Sequence, residues 1–244
     1  MTPRPLHTAL LTAAVSLTLV LGAMVAPAQE GVASTPRTAQ DEPAALSAPG
    51  DGIAVGNLVY ADGRTGVCFA DQFLTTYARE TEQDVQRAFT AVQLDSDELF
   101  NLPFVVMTGE KAFTLSDAEK QNLKTYLDNG GFVLASAGCS NQAWANSFMS
   151  VMDELYGRDA LTQLDTEHAL FHTLYDIDQI EVRRRSSNPA VLGMVIDGRV
   201  RMVFSPVGLN DTGNAGRGCC CCGGNEIRNA RLINANILAY ALTH

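Results

Sequence analysis

Apolar positions recur along this chain with two alternating periods, and that alternation lays out the expected fold. NLVYAD (57–62) has the short apolar pattern of a strand. From there the apolar residues fall at Ala70, Phe73, Leu74, Tyr77 and Ala78, the 3.6-residue rhythm of a helix with one buried face. AFTAVQL (88–94) returns to a strand pattern, and Ser96 is placed to cap a short DELF turn ahead of Pro103. PFVVMTG (103–109) is an unbroken apolar run closed by glycine, as expected of a strand covered on both faces.

Ser116-Asp117-Ala118-Glu119 is a capping box, S-x-x-E, and predicts a helix with Leu123, Tyr126 and Leu127 on its buried face. Asn129-Gly130-Gly131 ends that helix, and FVLAS (132–136) is a second buried strand. After the loop AGCSNQ, the spacing of Trp144, Phe148, Val151, Met152 and Leu155 predicts a helix that stops at Gly157. VLGMVI-DG-RVRMVF (191–204) is two strand patterns joined by Asp197-Gly198, the signature of a type I′ hairpin. EIRNARLINANILAYAL (226–242) closes the chain as a helix with Ala230, Ile233, Ile237 and Ala241 on one face. Strands and helices in alternation, with short connections, predict an α/β three-layer sandwich. Its sheet is mainly parallel and flavodoxin-like, with an added antiparallel hairpin at the edge.

The start of the chain breaks this rhythm. Arg4, an apolar run from Ala9 to about Val25 and the ending Ala26-Pro27-Ala28 form a secretory signal peptide over residues 1–28. An uncleaved membrane anchor is the alternative, because the apolar run is long enough for one. Residues 29–52, rich in Pro, Ala, Ser and Thr and without apolar periodicity, read as a disordered linker. Residues 53–244 then form a single α/β domain, and the expected location is extracytoplasmic, periplasmic or secreted. The net charge of −10 excludes a nucleic-acid partner, since no basic cluster is present to neutralise phosphates. Arg183-Arg184-Arg185, the one basic run, reads as a solvated loop. No dinucleotide-type glycine fingerprint appears, so no nucleotide is expected.

Six cysteines in an exported chain point to disulfides, and four of them, Cys219 to Cys222, stand side by side between glycines. In an open α/β sheet, sites form in loops beyond the carboxyl ends of the strands. Cys68, Cys139 and the tetrad all fall in such loops. Four thiolates suit zinc, and Cys219-x-x-Cys222 has knuckle spacing. Against this, a second C-x-x-C is missing and consecutive sulfurs cannot easily face one ion. The candidate metal set is therefore Cys68, Cys139, Cys219, Cys220, Cys221 and Cys222, with disulfides as the competing account. Cys139 also invites a nucleophile reading, with His168 or His172 in DTEHALFHTLYD (165–176) as base. The bland account makes both histidines structural.

Four strings together resemble a known family: GVCFADQFLTTYARE, the VQLDSDELFNLPFVVMTGEK…FVLASAGCS stretch, EHALFHTLYDI and IDGRVRMVFS. They are similar to the bacterial domain of unknown function 4159 family, from about Asn57 to His244. The resemblance implies a relative of the class I glutamine amidotransferase-like fold and no assigned activity. Amidotransferases carry a Gly-x-Cys-x-Gly elbow and a later His-x-Glu pair. Here Ala137 and Asn141 stand in the elbow positions, and Glu167 directly precedes His168. The amidotransferase activity therefore does not carry over. Three readings remain open. The leading one is a non-catalytic binding or assembly module, with a protein partner at the cell envelope and a Cys-rich loop that is cross-linked or metal-loaded. The second is a Cys139 hydrolase or amidotransferase-like enzyme. The third is a thiol-redox protein using Cys219 and Cys222.

Overall fold

A computed structural model describes residues 52–63, 66, 68–182, 190–214 and 227–244. The expected signal peptide, nearly all of the linker, the Arg183–Arg185 run and the cysteine tetrad lie outside the described residues. The elements follow in the order β1 (Val55–Val59), α1 (Gln72–Thr81), β2 (Thr90–Gln93), β3 (Phe104–Gly109), α2 (Asp117–Asp128), β4 (Phe132–Ala137), α3 (Gln142–Tyr156), β5 (Thr162–Gln163), β6 (Leu192–Ile196), β7 (Arg199–Ser205) and α4 (Ala230–Thr243). Short 3-10 turns at Asp97–Asn101 and Ala169–His172, and a tight turn with left-handed backbone at Gly138–Ser140, stand between them.

One sheet carries all seven strands in the order β2-β1-β3-β4-β7-β6-β5. The first four and β7 pair in parallel, and β6 and β5 continue antiparallel. Parallel strands need helices on both faces, which is why β3 and β4 are buried along their whole length apart from the end of β3. On one face α1 and α4 pack Phe73, Leu74, Ile233 and Ile237 onto Val55, Phe104, Phe132 and Val203. On the other, α2 and α3 pack Leu123, Leu127, Phe148 and Met152 onto Leu58, Val105, Val133 and Met202. Alternate residues of each strand feed the two cores, as the period-2 pleat requires.

Local signals fix the element ends. The Ser116 capping box is complete: the Ser116 hydroxyl accepts from Glu119 N at 3.2 Å and the Glu119 carboxylate accepts from Ser116 N at 2.7 Å. Ser96 caps its turn by accepting from Glu98 N. Asp197 (φ 51) and Gly198 (φ 76) take the left-handed pair that a type I′ hairpin demands.

Three expectations need adjusting. The first strand begins two residues earlier than the apolar pattern predicts and ends at Val59, with Tyr60 as a bridge residue ahead of the Ala61–Gly63 turn. The hairpin is not the sheet edge: β7 sits beside β4 in the interior, and the two-residue β5 forms the edge beyond β6. The closing helix begins at Ala230 and is buried from Ile233 to Tyr240 all the way round, including Asn234 and Asn236. Its apolar face is one of several covered faces, since β7, α1 and the Ala169–His172 turn all pack against it.

Candidate functional site

The chain leaves β1 through α1 on one face of the sheet and leaves β3 through α2 on the opposite face. A crevice therefore opens between the carboxyl ends of β1 and β3, the topological switch point of the sheet. Three loops meet there: residues 60–63, 66 and 68–70 after β1, 109–115 after β3 and 138–141 after β4.

Two of these loops hold their backbone in the left-handed region without glycine. Ala61 (φ 46) and Asp62 (φ 61) follow β1, and Cys139 (φ 50) and Ser140 (φ 55) follow β4. The other described non-glycine residues with positive φ have ordinary reasons: Glu82 caps α1 and Asp197 sits in the hairpin turn. A left-handed residue with a Cβ costs about 1–2 kcal/mol, so each pair must be enforced by its surroundings. The enforcing contacts are visible. Ala61 N donates to Glu119 Oε1 at 2.6 Å, so the buried capping-box glutamate of α2 also ties down the loop after β1. Ser140 donates its hydroxyl proton to the Val207 carbonyl at 2.6 Å, and the Ser136 hydroxyl accepts from Leu209 N at 2.9 Å.

Close approach completes the rim. A Cβ on Gly109 would lie 2.6 Å from both Trp144 Nε1 and the Tyr60 hydroxyl, so only glycine lets β3 end against that pair. Trp144 Nε1 donates to the Tyr60 oxygen at 2.6 Å, and Tyr60 donates on to the Thr108 carbonyl at 2.8 Å. Behind the loop after β3, Phe113, Leu115, Lys120, Ser147 and Glu154 line a groove of about 490 Å³.

The candidate residues divide between the rim and elsewhere. Cys139 is on the rim, at the turn between β4 and α3, and its thiol donates to Glu110 Oε1 at 3.7 Å. The strand–turn–helix framing expected for it is present, and Asn141 caps α3 by accepting from Trp144 N. Cys68 is at the rim as well and is disulfide-bonded. Its backbone is clamped by Asn210, 3% exposed, which donates to the Cys68 carbonyl and accepts from Ala70 N, both at 2.8 Å. Cys219, Cys220, Cys221 and Cys222 lie outside the described residues. Among those described, no three His, Cys, Asp or Glu side chains gather to hold a metal ion.

The histidines serve their own segment. His168 caps the Ala169–His172 turn, its Nδ1 accepting from Leu170 N at 3.1 Å. Its ring lies 5.8 Å from that of Tyr240, which stacks on His244 at 4.4 Å. Arg199, at the amino end of β7, donates to the His244 carbonyl. This places His168 toward the amino-terminal edge of the parallel strands, away from Cys139 at the carboxyl edge. Burial holds the His168 imidazole below its ordinary pKa, only partly offset by the nearby Asp165 carboxylate. Both ring nitrogens of His172 face acceptors, the Thr166 carbonyl at 2.7 Å and Asp176 Oδ1 at 3.2 Å. Neither imidazole hydrogen-bonds Cys139 among the contacts of the described residues; the acid–base group facing the sulfur is Glu110.

The model described as "Domain of unknown function (DUF4159)" matches residues 56–242. The chain belongs to this family. The match runs from β1 to the last turn of α4, so the DUF4159 domain and the described fold coincide. Comparison with curated proteins finds no match. Asn210, Glu119 and Glu110, which shape the DUF4159 rim, carried no sequence signal as site residues. Glu119 alone had a visible role, as the third residue of a helix cap.

Proposed function

We propose that this chain is exported and acts as a non-catalytic binding or assembly module for a protein partner at the cell envelope. Its recognition face is the rim formed by the loops after β1, β3 and β4, with the groove behind Phe113 beside it. The observation that carries this reading is the pair of left-handed segments, Ala61-Asp62 and Cys139-Ser140, flanking the switch point. Backbone strain persists where the surrounding structure over-determines it and is concentrated at ligand clamps and active sites. A recognition role fits better than catalysis because the histidines are committed to their own turn. Among the described residues, the Cys139 thiol donates to the Glu110 carboxylate rather than to an imidazole.

In this reading the Cys-rich loop is cross-linked or metal-loaded, and the disulfide-bonded Cys68 offers it an anchor at the rim. A disulfide sulfur is no thiolate, so zinc or another thiophilic ion would fall to the tetrad sulfurs. A thiol-hydrolase reading draws support from the turn that lifts Cys139 above β4, and one experiment separates the two. The exported protein is alkylated without reductant and weighed intact, alongside Cys139→Ala, and both are offered acyl ester and amide substrates. The binding reading expects fewer alkyl groups than the six cysteines, a deficit removed by reductant, an amino terminus after Ala28, and no turnover by either protein. Turnover by the wild type that Cys139→Ala abolishes overturns it.

A further inference from the structure

The Ala169–His172 turn is entered through one histidine and ends on another, and the two rings meet hydrogen-bond partners of opposite kind. At the start, His168 Nδ1 accepts the Leu170 N–H at 3.1 Å. A ring nitrogen that accepts carries no proton, so this cap needs the neutral imidazole with its proton on Nε2. At the end, His172 Nε2 lies 2.7 Å from the Thr166 carbonyl and Nδ1 lies 3.2 Å from Asp176 Oδ1. A carbonyl only accepts, so the neutral ring keeps its proton on Nε2 and turns a bare Nδ1 toward the carboxylate. Proton uptake therefore acts in opposite senses on the two rings. On His168 it sets two N–H groups against each other and breaks the cap. On His172 it turns the contact with Asp176 into a charge-assisted hydrogen bond, and makes the bond to Thr166 one as well.

We infer that this turn is a proton-driven switch, in which acid exchanges the His168 cap at its start for a His172 clasp across it. The clasp ties Thr166 and Asp176 to one ring, so the loop between them stays closed when the cap is lost. Asn236 on α4 holds Leu174 N, Tyr175 N and the Phe171 carbonyl with an amide that does not titrate, so the far side of the turn stays docked in either state. The moving part is confined to Glu167, His168 and Ala169. The His168 ring lies 5.8 Å from that of Tyr240 on α4, and its departure frees the Leu170 N–H and uncovers the Tyr240 ring. The titratable groups facing His168 are Asp165 on its own segment and Tyr240 and His244 on α4, and Asp176 faces His172. Burial holds back the charging of His168, Asp165 promotes it and His244 opposes it, so the cap is present above the ordinary histidine value of 6.5 and is lost as pH falls below it.

Imidazole nitrogen and amide NMR spectra of the whole protein between about pH 7.5 and about pH 5 test the switch. At the upper pH both rings are expected to carry their proton on Nε2. In acid the exchange protection of the Leu170 amide is expected to fall about fivefold, with the Tyr240 ring signals shifting alongside, while the Leu174, Tyr175 and Ile177 amides keep theirs. His168→Asn, whose capping oxygen does not titrate, is expected to hold Leu170 equally at both pH values. Asp176→Asn removes the charge from the clasp, and its melting temperature is expected to fall further on acidification than that of the wild type. A His168 ring protonated on Nδ1 at the upper pH overturns the inference. So does a Leu170 amide indifferent to acid, an acid loss that His168→Asn does not remove, or an acid response that Asp176→Asn leaves unchanged. Should either variant fail to fold, the wild-type ring protonation and the Leu170 amide decide the matter alone.

Discussion

Asn236 is fully buried on α4 and spends its whole side chain on one segment. Its Oδ1 accepts from Leu174 N at 3.1 Å and Tyr175 N at 2.7 Å, and its Nδ2 donates to the Phe171 and Tyr175 carbonyls at 2.7 and 2.8 Å. Replacement by leucine keeps the branched outline, in a somewhat larger side chain, and removes all four bonds. The Phe171 carbonyl keeps Ile177 N as a donor, so the stranded groups are the Leu174 and Tyr175 N–H and the Tyr175 carbonyl. A buried polar group without a partner costs about 1–3 kcal/mol, and the added apolar burial returns about 1–2 kcal/mol. The expected net loss is about 3–5 kcal/mol, which for a domain of this size lowers the melting temperature by about 10 °C. Asn236→Asp separates polar from steric effects. It keeps both accepted bonds but turns a second carboxylate oxygen toward two carbonyls, which favours the protonated acid in the folded state. Its penalty should therefore be largest at neutral pH and shrink as pH falls toward the ordinary aspartate pKa of about 3.9. Urea melts of the three proteins at two pH values measure this. A loss below about 1 kcal/mol for Asn236→Leu, or a pH-independent loss for Asn236→Asp, would refute the clamp.

His168 yields a pH prediction. Its folded pKa is lowered from 6.5, so its contribution is present above that value and is lost as pH falls toward the folded pKa. Thermal melts between neutral and mildly acidic pH should show that loss in the wild type and a flatter profile in His168→Asn, which keeps a capping acceptor. A cap bond that survives acid unchanged would count against it. Gly109→Ala should force apart the Tyr60–Trp144 hydrogen bond and cost about 1–3 kcal/mol. Trp144 is the sole tryptophan, so a shift in its emission reports the change directly. Cys68→Ser should cost about 2–4 kcal/mol without reductant, and reductant should lower the wild type to the variant's stability and leave the variant where it is.

The elements were legible where a local rule decides them. The Ser116 capping box, the Asp197-Gly198 turn and the apolar stripe of α3 depend on residues within a turn or two of each other, and each formed as its pattern predicts. What escaped the sequence depends on partners far along the chain. Asn210 reads as a polar loop residue until β7 brings it to Cys68, 142 positions away. Asn236 looks like a solvent-facing position on an amphipathic helix, yet the His168–Tyr175 segment covers that side of α4 and turns the amide into a clamp. The interior position of β7 was hidden for the same reason: the hairpin signal fixes how β6 and β7 pair but not which strand β7 joins next. At the rim, Cys139 was visible as chemistry and its turn as geometry. Its neighbour Glu110 was not, because proximity across two strand ends leaves no trace in spacing.

The burial of α4 on every side has a consequence for how the fold closes. Strands β1, β3 and β4 can pair first, but the core beneath α1 stays open to water until α4 docks Ile233 and Ile237 against it. The same delay leaves the open edge of β2 and the unfilled face of the sheet exposed together for the longest interval, which makes that interval the point at which a chaperone has most to shield.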